Sequence, residues 1–385
     1  SILNSSIDSK ISSVVNCMII VSLIWLVNCP VRATNKTDVK DQIFTLLEAE
    51  KLDSALVLLR GLILDTDQRD TTPDTVLALL ACRGGEALHF KGRYFDSIVL
   101  YEAAENIYEK VPIEQFENLS ICKHDYALVL LKAGRASESR LKLFELLTLM
   151  ESKDTVNFSR QVSTLRTLGS AYRAEGNNEA AQEYFQRALE KAREHLGPQD
   201  SQTALCLNNL ANLNRYTGNL VGAQKMFEEA LGILETIHGS FDRRVAVAVE
   251  NLGLVDKDQG LFEAALKKLE RSVSIFTRIY GRDHVEVATS LMNIGIVLKA
   301  TGRYQESEAV FLEALRVKRN KLGMMHTDVA RIHANLSQLY DDWGLIQKSI
   351  EHDTMALAIR RSVLPENHPD IGRSLATLAQ SELAN

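Results

Sequence analysis

The chain has little of anything that breaks a helix. Its 385 residues include six prolines, and aromatics make up only 6%. With 45% apolar residues, mostly Leu and Ala, that shortage favours an all-helical protein. Basic residues are not in excess: the net charge of −6 gives no electrostatic footprint for nucleic acid. The five cysteines (17, 29, 82, 122, 206) fall in no CxxC spacing and no framework pattern, so they read as free thiols in a reduced compartment. GxxxxGK[ST] and HExxH are both missing, and "RGGEA" (Arg83 to Ala87) lies inside a helical pattern with no strand before it. Long apolar runs are missing too, with one exception. "VVNCMIIVSLIWLVNC", residues 14–29, is short for a membrane span of about 20 residues.

That run sets residues 1–33 apart as a hydrophobic leader. Lys10 precedes it and "VRA" (Val31 to Ala33) follows like a small-residue cleavage site. It reads as a signal peptide or anchor, as a mis-predicted or translated upstream segment, or as a hydrophobic cap helix. Sequons at Asn4, Asn35, Asn118, Asn157 and Asn335 would be glycosylated only on the secretory reading. The expected compartment is otherwise the cytoplasm, with membrane contact only if the leader is a true anchor.

What the chain does have is a period. Glycines recur every 42 residues at Gly92, Gly134, Gly176, Gly218, Gly260, Gly302 and Gly344, with Glu50 in phase at the front. Five positions after each stands a small residue: Ala55, Ser97, Ser139, Ala181, Ala223, Ala265, Ser307 and Ser349. A second series, Gly197, Gly239, Gly281 and Gly323, is continued by Pro365. Each unit therefore reads as a helical hairpin: the first glycine turns helix A into helix B with positive φ. The small residues allow close helix approach. Ala223 and Ala265 belong on that seam and Lys268 on its open side. The second glycine ends helix B, and the next helix A opens near Asp200, Asp242, Asp328 or Asp370. One hairpin cannot bury its apolar face alone, so eight stack, with a ninth helix A beginning near Pro369. The expected fold is an all-α, right-handed α-solenoid of about eight hairpins plus a terminal helix. Residues 34–154 form divergent repeats and 155–385 regular ones.

"NNLANLNRYTGNLVGAQKMFEEALGILE" followed by "HGSFDRRVAVAVENLG" resembles the tetratricopeptide repeat in its long, 42-residue form, the form of kinesin light chain and nephrocystin-like proteins. The resemblance is close over 155–385. Only His368-Pro369-Asp370 keeps the full HPD of that pattern, and residues 1–40 show no heptads for a motor-binding coiled coil. The resemblance implies a non-enzymatic adaptor or scaffold that binds a linear peptide motif in the helix-A groove.

Nine residues before the turn glycines from Gly176 to Gly344 stand Thr167, Asn209, Asn251, Asn293 and Asn335. The resemblance implies that this position lines the concave groove, where carboxamides would bond an extended peptide backbone. The competing reading is that each bonds to the neighbouring hairpin and fixes the twist. Asn212 and Gln338 share the face. A basic column, Arg173, Arg215, Lys257 and Lys299, is broken by Asp341. It suits helix C-termini whatever the ligand, or forms a positive rim for an acidic or phosphorylated peptide. His284, His326 and His368 recur one repeat apart, so they do not converge on a metal and read as structural. No catalytic residue, cofactor or small-molecule substrate is expected. A second reading of the start without Met and the end in mid-repeat is that the chain is the sensor or regulatory array of a larger signalling protein, for example an NTPase. A third is a secreted or lumenal repeat protein.

Overall fold

The computed structural model of the chain describes residues 36–67, 73–111, 116–152 and 157–384. The leader lies outside the described residues, so the readings made of it are untouched. All regular structure among the described residues is helical. Contacts divide the chain into two units, residues 1–71 and 72–385. The first holds one hairpin, α1 (Lys36–Glu48) and α2 (Leu52–Asp67), turned at Glu50, which takes a φ of 54° in the place of a glycine.

The second unit continues as α3 (Thr75–Phe90), α4 (Tyr94–Tyr108), α5 (Phe116–Lys132), α6 (Ala136–Glu151), α7 (Phe158–Ala174) and α8 (Asn178–His195). Then follow α9 (Ser201–Tyr216), α10 (Leu220–His238), α11 (Arg243–Asp258), α12 (Phe262–Tyr280) and α13 (Val285–Ala300). It ends with α14 (Tyr304–Leu322), α15 (Thr327–Asp342), α16 (Ile346–Val363) and the terminal α17 (Pro369–Ala384). Odd-numbered helices are the A helices of the sequence reading and even-numbered ones the B helices, so the hairpin solenoid expected from the period is present.

The period is built by two local devices. At each turn the residue after the glycine returns its N–H to helix A five positions back, as in Asn219 N to Asn214 O (2.8 Å) and Leu261 N to Asp256 O (2.8 Å). That bond needs the preceding residue left-handed, and Gly218 and Gly260 supply φ of 88° and 77°. The seam is the second device. Ala223 and Ala265 are fully buried, and at Ser97, Ser139 and Ser307 the hydroxyl donates to a helix-A carbonyl, as in Ser97 to Gly85 O (2.6 Å) and Ser307 to Gly295 O (2.8 Å). Serine is thus tolerated in a dry seam because a carbonyl satisfies it.

The helices A open near the four expected aspartates, but the capping group differs at two junctions. Asp200 and Asp242 do cap their helices, accepting from Gln202 N (2.7 Å) and Arg244 N (2.8 Å). At 328 and 370, however, the aspartate lies two residues further on, and His326 and His368 are the capping acceptors. The acid there complements the helix dipole without making the cap bond. Lys268 also differs from its reading: its ammonium pairs with the buried Asp256 across the hairpin.

Candidate functional site

Successive odd-numbered helices from α3 to α15 touch one another, whereas no even-numbered helix packs on the next even-numbered one to a comparable extent. The stack therefore curves toward the A side, and the odd-numbered helices line its concave face. Two of the polar contacts there share one geometry. The residue ten before one turn glycine meets the residue nine before the next, a separation of 43. His124 Nε2 lies 3.1 Å from Thr167 Oγ1 in this way, and Asn293 donates to the Glu250 carboxylate.

The structure thus divides the candidate ladder. Thr167 and Asn293 are buried and engaged with the preceding hairpin. Asn209, Asn251 and Asn335 are half-buried, and none of the hydrogen bonds among the described residues uses their carboxamides. Asn212 donates to Asn208 O (3.0 Å) within α9, while Gln338 is exposed. On the concave helices Asn209, Asn251 and Asn335 thus keep unbonded carboxamides beside the exposed Gln338, Thr167 and Asn293 knit one helix to another, and Asn212 bonds within its own helix. Adjacent Asn208, the other carboxamide of "NNL", is 7% exposed, with its side-chain oxygen buried and unbonded.

Two charged groups that the sequence reading did not single out lie among them. Arg166 of α7 donates from Nη1 to Gln202 Oε1 (2.9 Å) and leaves its buried Nε without a partner. Burial lowers its pKa. Glu250 of α11 is 8% exposed, and burial pushes its carboxyl up to about 7. Their signal in the sequence is positional: both stand ten before a turn glycine, immediately ahead of the ladder position, where the next helix A covers them.

The basic column is largely compensated. Arg215 and Lys257 both reach Asp258 (3.2 and 2.6 Å), and Lys299 reaches Asp342 (2.9 Å). Arg173 is exposed and has no ion pair among the described residues. In the first repeats the charges turn inward, where Lys123 pairs with the buried Glu105, which also holds Lys142 (2.9 Å). His284, His326 and His368 belong to separate helix starts. Among the described residues no three His, Cys, Asp or Glu side chains are grouped as a metal site, and Cys82, Cys122 and Cys206 are free. No helix among them is long and apolar enough to cross a membrane.

Comparison with known proteins adds the following. The family model described as Tetratricopeptide repeat matches residues 160–236, 244–320 and 293–362. No curated protein matches the chain. Among solved structures it is similar to the Rap conjugation gene regulator of the plasmid pLS20, with 17% identity over 85% of this chain and 95% of that one, TM-score 0.60. It is similar to a Rap protein complexed with competence and sporulation factor, with 14% identity over 85% and 98%, TM-score 0.58. A putative kinesin light chain of Podosopora anserina with nearly identical TPR-like repeats shares 18% identity over 54% and 98%, TM-score 0.43. At these identities the likeness to the two Rap proteins is one of fold.

Proposed function

The chain belongs to the tetratricopeptide repeat family, and from that premise we propose that it is a non-catalytic scaffold that binds a linear peptide segment of a partner protein along its concave face. The observation that carries this reading is the set of unbonded carboxamides at Asn209, Asn251 and Asn335, one repeat apart or two, with Gln338 beside the last. Each offers an acceptor and two donors at a spacing fixed by the stack. An extended chain has unpaired backbone groups along its whole length and no need of a particular side chain to meet them. Leu254 and Ile296, six before their turn glycines, are half-buried and give the same face an apolar floor. A repeat protein of the same fold, the Rap protein, is itself complexed with competence and sporulation factor.

Within this reading Thr167, Asn212 and Asn293 position the ligand-facing residues, since their own bonds are made inside the scaffold. Arg173 is the rim cation available to an acidic ligand, while Arg215, Lys257 and Lys299 are already paired with Asp258 or Asp342. Affinity capture with mass spectrometry, using the wild type beside Asn209→Ala/Asn251→Ala, tests the proposal. Partners lost from the variant support it; an unchanged set of partners overturns it.

A further inference from the structure

Two helix starts near the end of the second unit lie against two turns near its beginning, with the same offset along the chain each time (92 to 326 and 134 to 368). A Cβ placed at Gly92 would come within 2.8 Å of His326 Cδ2 and 3.1 Å of its Nε2. One placed at Gly134 would come within 2.8 Å of His368 Nε2. The other turn glycines, such as Gly176, Gly218 and Gly260, have nothing within 4 Å of that position. Tyr94 of α4, itself buried, and Thr327 line the space between the two sides. A cleft of about 370 Å³ remains between the two sides, lined by His89, Leu131 and Lys132 on one and Asp328, Leu364 and Asp370 on the other. The superhelical turn is therefore closed on itself, and the closure is made by ring-on-glycine contacts at two successive repeats.

Both rings are committed to one tautomer. His326 Nδ1 accepts the Asp328 N–H (3.0 Å) and His368 Nδ1 accepts the Asp370 N–H (3.1 Å), so in the neutral ring the proton sits on Nε2, the nitrogen facing the glycine turn. A second proton can enter only at Nδ1. It would break the cap bond and place a cation at the positive end of a helix.

We propose that these contacts are an acid-sensitive latch: with His326 and His368 neutral the superhelical turn is closed, and protonation of the pair releases α15 and α17 from the first turns and opens it. The surroundings agree. Burial is the largest influence on each histidine and lowers its pKa. Asp328 opposes that for His326, and Lys318 and Arg331 reinforce it; His326 in turn lowers His89 of α3 across the contact. For His368, Asp370 opposes, Arg360 and Arg373 reinforce, and Lys132 faces it across the cleft. A histidine lowered in the closed state favours closure above its ordinary value of 6.5, and that preference is lost as the pH falls through the lowered value. With two protons taken up together, the closed-to-open ratio falls by at most on the order of 100-fold per pH unit in that window. The latch does not depend on what the concave face binds.

Small-angle scattering of the whole chain between about pH 7.5 and pH 5, with circular dichroism alongside, tests it. The radius of gyration should rise reversibly on acidification while helicity is kept. His326→Asn with His368→Asn retains the caps, because asparagine is a good capping residue, but removes the rings. This double variant should be expanded at both pH values. His284→Asn is the matched control, since His284 caps α13 through the same bond to Glu286 N (3.3 Å) and lies within 4 Å of no turn-glycine Cβ position. It should behave as the wild type. Gly134→Ala against Gly218→Ala makes the comparison without touching a histidine: both strain a positive φ, and only the first meets a ring. Dimensions that do not change with pH, or equal expansion from His284→Asn and the double variant, overturn the latch.

Discussion

Asn293 of α13 donates its carboxamide to the carboxylate of Glu250 in α11, one hairpin earlier, and both side chains are buried. The pair joins two concave helices and makes stability depend on pH. Burial raises the Glu250 carboxyl from 4.5 to about 7, so the folded state holds a proton that the unfolded chain releases. Stability from this group is fully present below pH 4.5 and is lost as pH rises through about 7. Glu250→Gln keeps an acceptor for Asn293 but cannot ionise. Urea unfolding should show the wild type losing ground to the variant across that window, by at most about 3 kcal/mol. Parallel pH profiles for the two proteins would contradict the assignment.

The seam carries a charge that periodicity hides. Ala265 is fully buried, and its carbonyl lies 3.2 Å from where a Cβ on Gly253 would stand, so Ala265→Leu should overpack the hairpin by about 1–3 kcal/mol. Lys268, read from its phase as an outward residue, neutralises Asp256, which is 2% exposed. Lys268→Ala should therefore cost about 1–3 kcal/mol as well. Adding Asp256→Asn should recover part of that loss, because the unpaired buried charge goes with it. Thermal or urea unfolding of the single and double variants closes the cycle. If Lys268→Ala costs nothing, the sequence reading was right after all.

These cases show where the sequence is legible. The hairpins, their turns and their seam follow from residue types repeated at one period, because each is a contact within one unit or with its neighbour. Gly218 announces a turn by itself. The concave contacts are less legible: the 43-residue contacts join positions in adjacent units, and only stacking geometry says that Glu250 meets Asn293. Least legible is His326 against Gly92. It depends on the small rotation between units summed over the whole superhelical turn, which no single repeat encodes.

The rim makes a narrower claim than its column of four cations suggested. Lys299 is held by Asp342, so reversing its charge alters a local pair on the surface, worth roughly 0–1 kcal/mol. Arg173 is uncompensated and exposed, so Arg173→Glu removes field that an approaching acidic ligand would feel. With any captured acidic partner, Arg173→Glu should slow association and flatten its salt dependence more than Lys299→Glu does. Stopped-flow or surface-plasmon kinetics at two salt concentrations measures this. Equal effects would remove Arg173 from the site.

The ladder itself separates into two experiments. Asn293→Ala deletes a buried donor and leaves Glu250 without it, so it should lower stability by about 1–3 kcal/mol whatever the protein binds. Asn209 and Asn251 bond nothing among the described residues, so Asn209→Ala with Asn251→Ala should leave unfolding nearly unchanged. If an extended peptide lies across them, each loss costs about 0.5–1.5 kcal/mol of binding. The pair together then weakens a captured partner by roughly 5- to 150-fold. Calorimetry on the captured partner, beside thermal unfolding of the single and the double variant, reads both effects. A double variant that binds normally would remove Asn209 and Asn251 from the peptide site. An early-unfolding double variant would show that Asn209 and Asn251 make contacts in solution like that of Asn293. Only normal unfolding combined with lost binding places a peptide on the concave face.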